Sequence, residues 1–134
     1  MKLRDYQITI RDKALKMLRT HSIAYLAMEV RTGKTLTSIA IAYCYGAKKV
    51  LFVTKKKAIS SIEDDFKQSN CLYDLLIINY ESVHKCVQNY DFIIIDEAHA
   101  LGQYPQPSER TKALMILCIG KPIIYLSGTH SPET

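Results

Sequence analysis

Five short apolar runs, separated by segments with helical periodicity, constrain the fold of this chain more than any other feature. The runs cover residues 23–28, 50–53, 75–80, 92–95 and 123–126. Continuous apolar runs of this length are typical of strands that are buried on both faces of a parallel sheet. Parallel strands need long crossover connections, which are usually helices that cover the sheet. The sequence therefore predicts an α/β three-layer sandwich: a mostly parallel sheet of about five strands with helices on both faces.

The segments between the runs support the same architecture. Tyr6, Ile10, Ala14 and Leu18 recur every four residues, which indicates an amphipathic helix over residues 5–19. Gly46 is a suitable residue to end the second helix. The predicted helices cover residues 5–19, 34–45, 56–68, 82–87 and 109–119, and residues 102–107 are predicted to form a surface loop. With 134 residues, the chain is expected to form one domain over residues 1–134.

Composition excludes several classes of protein. No apolar run approaches the roughly 18 residues that a bilayer-spanning helix requires, so we expect no membrane association and a cytoplasmic location, or the host cytoplasm if the protein is viral. The four cysteines are scattered, without the spacing of zinc ligands. A formal net charge of +5 is compatible with a polyanionic partner, although many soluble domains reach it.

The first run ends at a turn with the composition of a phosphate-binding loop. Residues 28–35 read Met-Glu-Val-Arg-Thr-Gly-Lys-Thr, with a strand before them and a helix after them. Gly33 permits close approach of the backbone, Lys34 would reach the β- and γ-phosphates of ATP, and Thr35 would bind Mg²⁺. The Walker A pattern is imperfect, because Met28 stands where its first glycine is expected. The predicted nucleotide-binding residues of the loop are Arg31, Thr32, Gly33, Lys34 and Thr35.

The fourth run ends in two carboxylates. Residues 92–99 read Phe-Ile-Ile-Ile-Asp-Glu-Ala-His, which places Asp96 and Glu97 at the carboxyl end of a buried strand, where open α/β sheets bind ligands. A buried carboxylate without a partner is costly, so a cation is expected beside it. Asp96 would hold Mg²⁺, and Glu97 would orient and deprotonate the attacking water. The alternative is a solvated acidic turn after the strand. Chance occurrence of Asp-Glu-Ala-His at this place is rare, which disfavours that alternative.

Four ordered motifs together resemble a known family. Residues 3–7 (Leu-Arg-Asp-Tyr-Gln), 33–35 (Gly-Lys-Thr), 96–99 (Asp-Glu-Ala-His) and 127–129 (Ser-Gly-Thr) occur in the order found in superfamily two helicases and translocases. The chain resembles the first RecA-like domain of the DEAH-type members, with features of the Swi/Snf-type and bacteriophage branch. Thr54 departs from that branch, which commonly has proline there.

The resemblance implies a RecA-like P-loop fold and roles for further residues. Gln7 would read the adenine edge with its amide, or it is simply a polar residue on a first helical turn. His99 would link the nucleotide site to the coupling segment at Ser127, Gly128 and Thr129, although an ordinary strand-end turn would also explain that segment. The catalytic residues implied are Lys34, Asp96, Glu97 and His99.

A basic turn follows the second run. Lys55, Lys56 and Lys57 occupy the position at which the family contacts the nucleic-acid backbone, and a solvated surface is the alternative. Asn79 and Tyr80 could extend the same surface, or Tyr80 could belong to the core. The expected partners are nucleic acid, with DNA favoured over RNA, and a second RecA-like domain in the full protein or in a partner chain.

Three functions are consistent with these patterns. The first is the ATP-binding domain of an ATP-dependent helicase or translocase, an enzyme that couples ATP hydrolysis to movement on nucleic acid. The second is a stand-alone module that binds nucleic acid in a nucleotide-dependent manner without turnover of its own. The third is an unrelated P-loop ATPase, which the motif at residues 3–7 disfavours.

Overall fold

The computed structural model describes residues 3–28, 33–85, 89–96 and 120–128. Three α-helices are described: α1 (Asp5–His21), α2 (Lys34–Tyr45) and α3 (Ile59–Ser69). Five strands are described: β1 (Ile23–Met28), β2 (Lys49–Thr54), β3 (Asp74–Asn79), β4 (Phe92–Asp96) and β5 (Ile123–Gly128). Two 3₁₀ helices cover Lys56–Ala58 and Tyr80–Lys85.

The five strands form one parallel sheet in the order β1-β5-β4-β2-β3. The predicted α/β architecture with a parallel sheet of five strands is therefore confirmed. Because every strand runs in the same direction, their carboxyl ends lie along one edge of the sheet. This edge carries the ends of β1, β4 and β2, which are the strands that precede the glycine-lysine-threonine turn, the acidic motif and the basic turn.

Neighbouring residues of the central strands are buried on opposite faces of the sheet. Phe52 and Ile94 pack on the face covered by α1, α2 and α3, whereas Val53 and Ile95 pack on the face that carries Tyr80–Lys85. All four side chains are at most 1% exposed. Burial on both faces explains why these strands read as continuous apolar runs in the sequence.

The predicted elements agree with the structure within a few residues where the structure describes them. The predicted helix over residues 56–68 begins as a 3₁₀ turn and becomes α-helical at Ile59. The described part of the predicted helix over residues 82–87 belongs to the 3₁₀ helix Tyr80–Lys85, and β3 ends before it, at Asn79. Gly46 ends α2 with a φ of 95°, as predicted. The predicted loop at residues 102–107 and helix at residues 109–119 lie outside the described residues.

Candidate nucleotide-binding site

Lys34 and Asp96 meet at the carboxyl edge of the sheet. Lys34 is the first residue of α2, and Asp96 is the last residue of β4, which is separated from β1 by β5. The Lys34 Nζ lies 3.3 Å from the Asp96 Oδ1, and each side chain is 8% exposed. Two residues that are distant in the sequence thus form a buried ion pair at the edge where α/β sheets bind ligands.

Two further contacts fix Asp96. The Thr54 hydroxyl at the end of β2 donates a hydrogen bond of 2.9 Å to Asp96 Oδ2. The Tyr80 hydroxyl donates to the backbone carbonyl oxygen of Asp96. Contacts from α2, β2 and the Tyr80–Lys85 helix therefore hold both the carboxylate and the backbone of this residue.

The two carboxylate oxygens of Asp96 have different surroundings. Oδ2 accepts the Thr54 hydroxyl, whereas Oδ1 is buried and accepts no hydrogen bond from the described residues, although the Lys34 ammonium lies beside it. A buried carboxylate oxygen without a hydrogen-bond donor is a suitable ligand for a hard cation or for a water bound to one. The donor set at this position therefore fits Mg²⁺ held together with a nucleotide.

Gly33 forms the junction between the loop and α2. It has a φ of 75°, a left-handed backbone conformation that residues with a Cβ rarely adopt. Its carbonyl oxygen accepts hydrogen bonds from the Thr37 amide at 2.9 Å and from the Thr37 hydroxyl at 2.8 Å. The start of α2 is therefore well defined, and the first N–H groups of a helix are a favourable place for phosphate.

Gln7 lies directly against this junction. It is 5% exposed, and its Nε2 donates to the Gly33 carbonyl oxygen at 3.4 Å. Its Oε1 accepts a hydrogen bond of 2.8 Å from the Arg4 amide, so the side chain also caps α1. The resemblance predicts that Gln7 contacts the adenine, and the structure places its amide against Gly33.

The basic turn lies beside the site, at the end of β2. Lys55, Lys56 and Lys57 are all exposed. Tyr80 is 8% exposed and packs in the core, so its interpretation as a core residue is the correct one. The Asn79 Oδ1 accepts a hydrogen bond of 2.9 Å from the Ser82 amide, which uses this side chain to begin the 3₁₀ helix.

Several predicted site residues fall outside the described part of the chain. These residues are Arg31, Thr32, Glu97, His99 and Thr129. The backbone of Ser127 and Gly128 lies at the end of β5, opposite Ala27 and Met28 of β1. The predicted coupling segment therefore begins next to the strand that precedes the predicted phosphate loop.

Sequence reasoning missed the part that Thr54 plays at the site. Thr54 registers with Asn79 on one side, and on the other side Val53 registers with Ile95, which places Thr54 beside Asp96. Its signal was a hydroxyl residue at the end of an apolar run, because parallel strands end at the same edge. The sequence alone does not give the order of strands, so it could not show that β2 and β4 are neighbours.

Comparison with known proteins identifies the family. The model of the family described as "Type III restriction enzyme, res subunit" matches residues 1–74 of the 134-residue chain, which is more than half of it. The chain belongs to this family. The family is part of helicase superfamily two. No curated protein matches the chain with significant sequence similarity.

Solved structures of similar fold include three DNA complexes. The SWI2/SNF2 ATPase core from Sulfolobus solfataricus in complex with dsDNA matches with a TM-score of 0.76 at 21% identity, over 97% of this chain and 32% of that one. A nuclease-deletion mutant of the Type ISP restriction-modification enzyme LlaGI, in complex with a DNA substrate mimic, matches with a TM-score of 0.77 at 18% identity, over 96% of this chain and 18% of that one. The ATP-dependent Type ISP restriction-modification enzyme LlaBIII, bound to DNA, matches with a TM-score of 0.64 at 21% identity, over 95% of this chain and 13% of that one.

These matches establish the fold. The chain spans about a third or less of the length of the solved structures that it matches. Among the described helices, none combines the length and apolar character that a membrane span requires.

Proposed function

We propose that residues 1–134 form the first RecA-like domain of an ATP-dependent nucleic-acid helicase or translocase, and that ATP binds with Mg²⁺ at the carboxyl edge of the sheet. The buried contact between Lys34 and Asp96, at 3.3 Å, is the observation that carries this proposal. It joins the phosphate-binding turn to the acidic strand end, the two features that a Mg²⁺-nucleotide requires together.

The ion pair suggests how the residues act when nucleotide binds. The Lys34 ammonium and the Asp96 carboxylate compensate each other's buried charge. The phosphates of ATP would then draw the ammonium of Lys34 toward them, while Asp96 and the Thr35 hydroxyl would hold Mg²⁺. Bound Mg²⁺ would supply positive charge against the β- and γ-phosphates.

The remaining roles rest on the resemblance in sequence. Glu97 would orient the attacking water and accept its proton, and His99 of the DEAH motif would connect this event to Ser127, Gly128 and Thr129. Arg31 and Thr32 would contribute to the phosphate loop. Gln7 supports the loop through Gly33 and would contact adenine from the same position.

Nucleic acid is the proposed track, and DNA is favoured over RNA. The exposed basic turn supports backbone contacts, which are independent of sequence and weaken with salt. Three structures of similar fold, each of them bound to DNA or a mimic of it, support the same choice. A second RecA-like domain, in the same protein or in a partner, would complete the ATPase. The branch is proposed to be Swi/Snf-like or bacteriophage-type.

Substitution of Lys34 by methionine tests the site. Lys34→Met should abolish binding of Mg²⁺-ATP, measured by isothermal titration calorimetry. It should also lower the free energy of unfolding of the nucleotide-free chain by about 3–5 kcal/mol, because Asp96 would remain buried without its cation. Lys16→Met is the matched control, since it removes an exposed lysine from α1 and should change neither quantity appreciably.

A double variant separates the two roles of Lys34. Lys34→Met combined with Asp96→Asn removes both buried charges and should recover most of the lost stability, whereas binding of Mg²⁺-ATP should remain absent. Binding of Mg²⁺-ATP by folded Lys34→Met with the affinity of the parent would contradict the proposed site.

A further inference from the structure

Thr54 connects two parts of the molecule through a single residue. Its side chain is fully buried, and its hydroxyl donates the 2.9 Å hydrogen bond to Asp96 Oδ2. The next residue, Lys55, is exposed and begins the basic turn. Thr54 therefore contacts the proposed metal-binding carboxylate on one side and continues covalently into the proposed nucleic-acid contact on the other.

The hydrogen bond determines which carboxylate oxygen faces the nucleotide site. With Oδ2 held by Thr54, Oδ1 is the oxygen that lies 3.3 Å from the Lys34 ammonium. Loss of the hydroxyl would leave Oδ2 without this donor and would allow the carboxylate to rotate. A carboxylate that must rotate back before it can act binds a cation less well than one already oriented.

The basic turn follows Thr54 directly and is held by a hydrogen bond of its own. The Lys55 carbonyl oxygen accepts a hydrogen bond of 3.0 Å from the Ala58 amide, and the chain continues from there as a 3₁₀ turn into α3. Thr54 itself is the last residue of β2 and registers with Asn79 of β3. A displacement of the turn by a bound phosphate backbone would therefore act on the position of the Thr54 hydroxyl.

We propose that Thr54 is a positioning residue that couples nucleic-acid contact at the basic turn to the orientation of Asp96. The inference rests on the proposed function, since it requires Mg²⁺-ATP at Asp96 and a nucleic-acid backbone at Lys55–Lys57. Thr54 touches neither ligand in this scheme and acts through Asp96 alone.

The first test compares ATP affinity with Mg²⁺ and with EDTA. Thr54→Val keeps the shape of the side chain and its preference for a strand, but it removes the hydroxyl. We expect Thr54→Val to weaken binding of Mg²⁺-ATP about tenfold and to change metal-free ATP binding by less than about twofold. The hydrogen bond is lost under both conditions, but the orientation of the carboxylate matters only where Asp96 holds Mg²⁺. Thr54→Ser retains the hydroxyl and should restore the affinity of the parent for Mg²⁺-ATP.

A control variant measures the effect of removing a buried hydroxyl that does not contact Asp96. Ser69 is 3% exposed, and its hydroxyl donates to the Phe66 carbonyl oxygen at 2.7 Å, at the end of α3. Ser69→Ala should lower thermal stability without changing the ratio of ATP affinities in Mg²⁺ and EDTA. A general loosening of the fold would instead move this ratio in both variants.

The second test adds duplex DNA of about 30 base pairs, long enough to cover the domain at the 3.4 Å rise of each strand. For the parent, saturating DNA should change the affinity for Mg²⁺-ATP, and Mg²⁺-ATP should change the affinity for DNA by the same factor. In Thr54→Val this mutual effect should be lost, although DNA still binds. Lys56→Ala combined with Lys57→Ala should weaken DNA binding itself.

The outcomes separate the inference from the function on which it rests. A parent that fails to bind Mg²⁺-ATP would overturn the proposed function and the role of Thr54 together. A parent that binds Mg²⁺-ATP, with a Thr54→Val variant that keeps the same Mg²⁺ dependence and the same mutual effect with DNA, would overturn only the role of Thr54. Equal losses in Thr54→Val and Thr54→Ser would also overturn it, because the hydroxyl would then not be the cause.

Discussion

Gly33 has no side chain, and this allows the Gln7 side chain to be buried against its backbone. A Cβ on Gly33 would collide with the Gln7 Nε2, and the φ of 75° already disfavours any residue with a Cβ. Gly33→Ala should therefore cost more than the roughly 1–2 kcal/mol of left-handed backbone strain, because the Gln7 amide must also leave its position. Thermal or denaturant unfolding measures this cost, and ATP affinity should fall with it.

Gly46 provides a matched control for this prediction. It ends α2 with a φ of 95°, and nothing lies within 4 Å of the Cβ that alanine would add. Gly46→Ala should show only the cost of backbone strain and should leave ATP affinity unchanged. In a Gln7→Ala background, the cost of Gly33→Ala should fall to that of Gly46→Ala. An equal cost of Gly33→Ala in both backgrounds would show that the contact with Gln7 contributes nothing.

At the scale of elements, local sequence patterns predict the positions of most strands and helices. The bounds of β1 and α2 follow directly from an apolar run and from the glycines that flank the helix. The end of β3 is harder to predict, because Tyr80 is apolar enough to extend the strand. In the structure Tyr80 is the first residue of a 3₁₀ helix, and its hydroxyl donates a hydrogen bond to the Asp96 carbonyl oxygen. Strand order depends on tertiary packing, so the bond between Thr54 and Asp96 could not be predicted.

The helix α3 carries a feature that makes its stability depend on pH. Burial raises the pKa of Asp65 above its ordinary value of 3.8, and the neighbouring charge of Asp64 raises this pKa further. An acid whose pKa is higher in the folded state destabilises the fold above that pKa, and the cost disappears below the pKa of the unfolded chain. The contribution of Asp65 to stability therefore falls as the pH rises through this window.

Asp65→Asn should accordingly raise the melting temperature at neutral pH, and the gain should vanish near about pH 3, below the unfolded pKa. Asp64 is exposed, so Asp64→Asn should recover only the smaller part of the effect that arises from repulsion between the two charges. Melting temperatures of the three proteins across this pH range measure both effects. A gain for Asp65→Asn that is the same at pH 3 and pH 7 would have a cause other than ionisation.

At the scale of the whole molecule, the candidate site is assembled from several elements of one α/β unit. The described contacts to Asp96 come from α2, β2 and the Tyr80–Lys85 helix, all of them within one RecA-like unit. P-loop nucleoside triphosphatases can gain roughly 10³–10⁵ in rate from an arginine finger, which in some of them a partner protein supplies. We therefore expect nucleotide binding and rapid hydrolysis to be separable in this chain.

The 134-residue chain on its own should bind ATP weakly and hydrolyse it slowly or undetectably, with or without duplex DNA. Phosphate release under excess Mg²⁺-ATP measures this directly. Any slow activity that belongs to the chain should disappear in Glu97→Gln while binding of ATP is retained, since the substitution removes the proposed base but keeps the shape of the side chain. Unstimulated turnover at several ATP per second would contradict the expectation. An effect of ATP on DNA affinity that persists unchanged in Glu97→Gln would arise from nucleotide binding and not from hydrolysis.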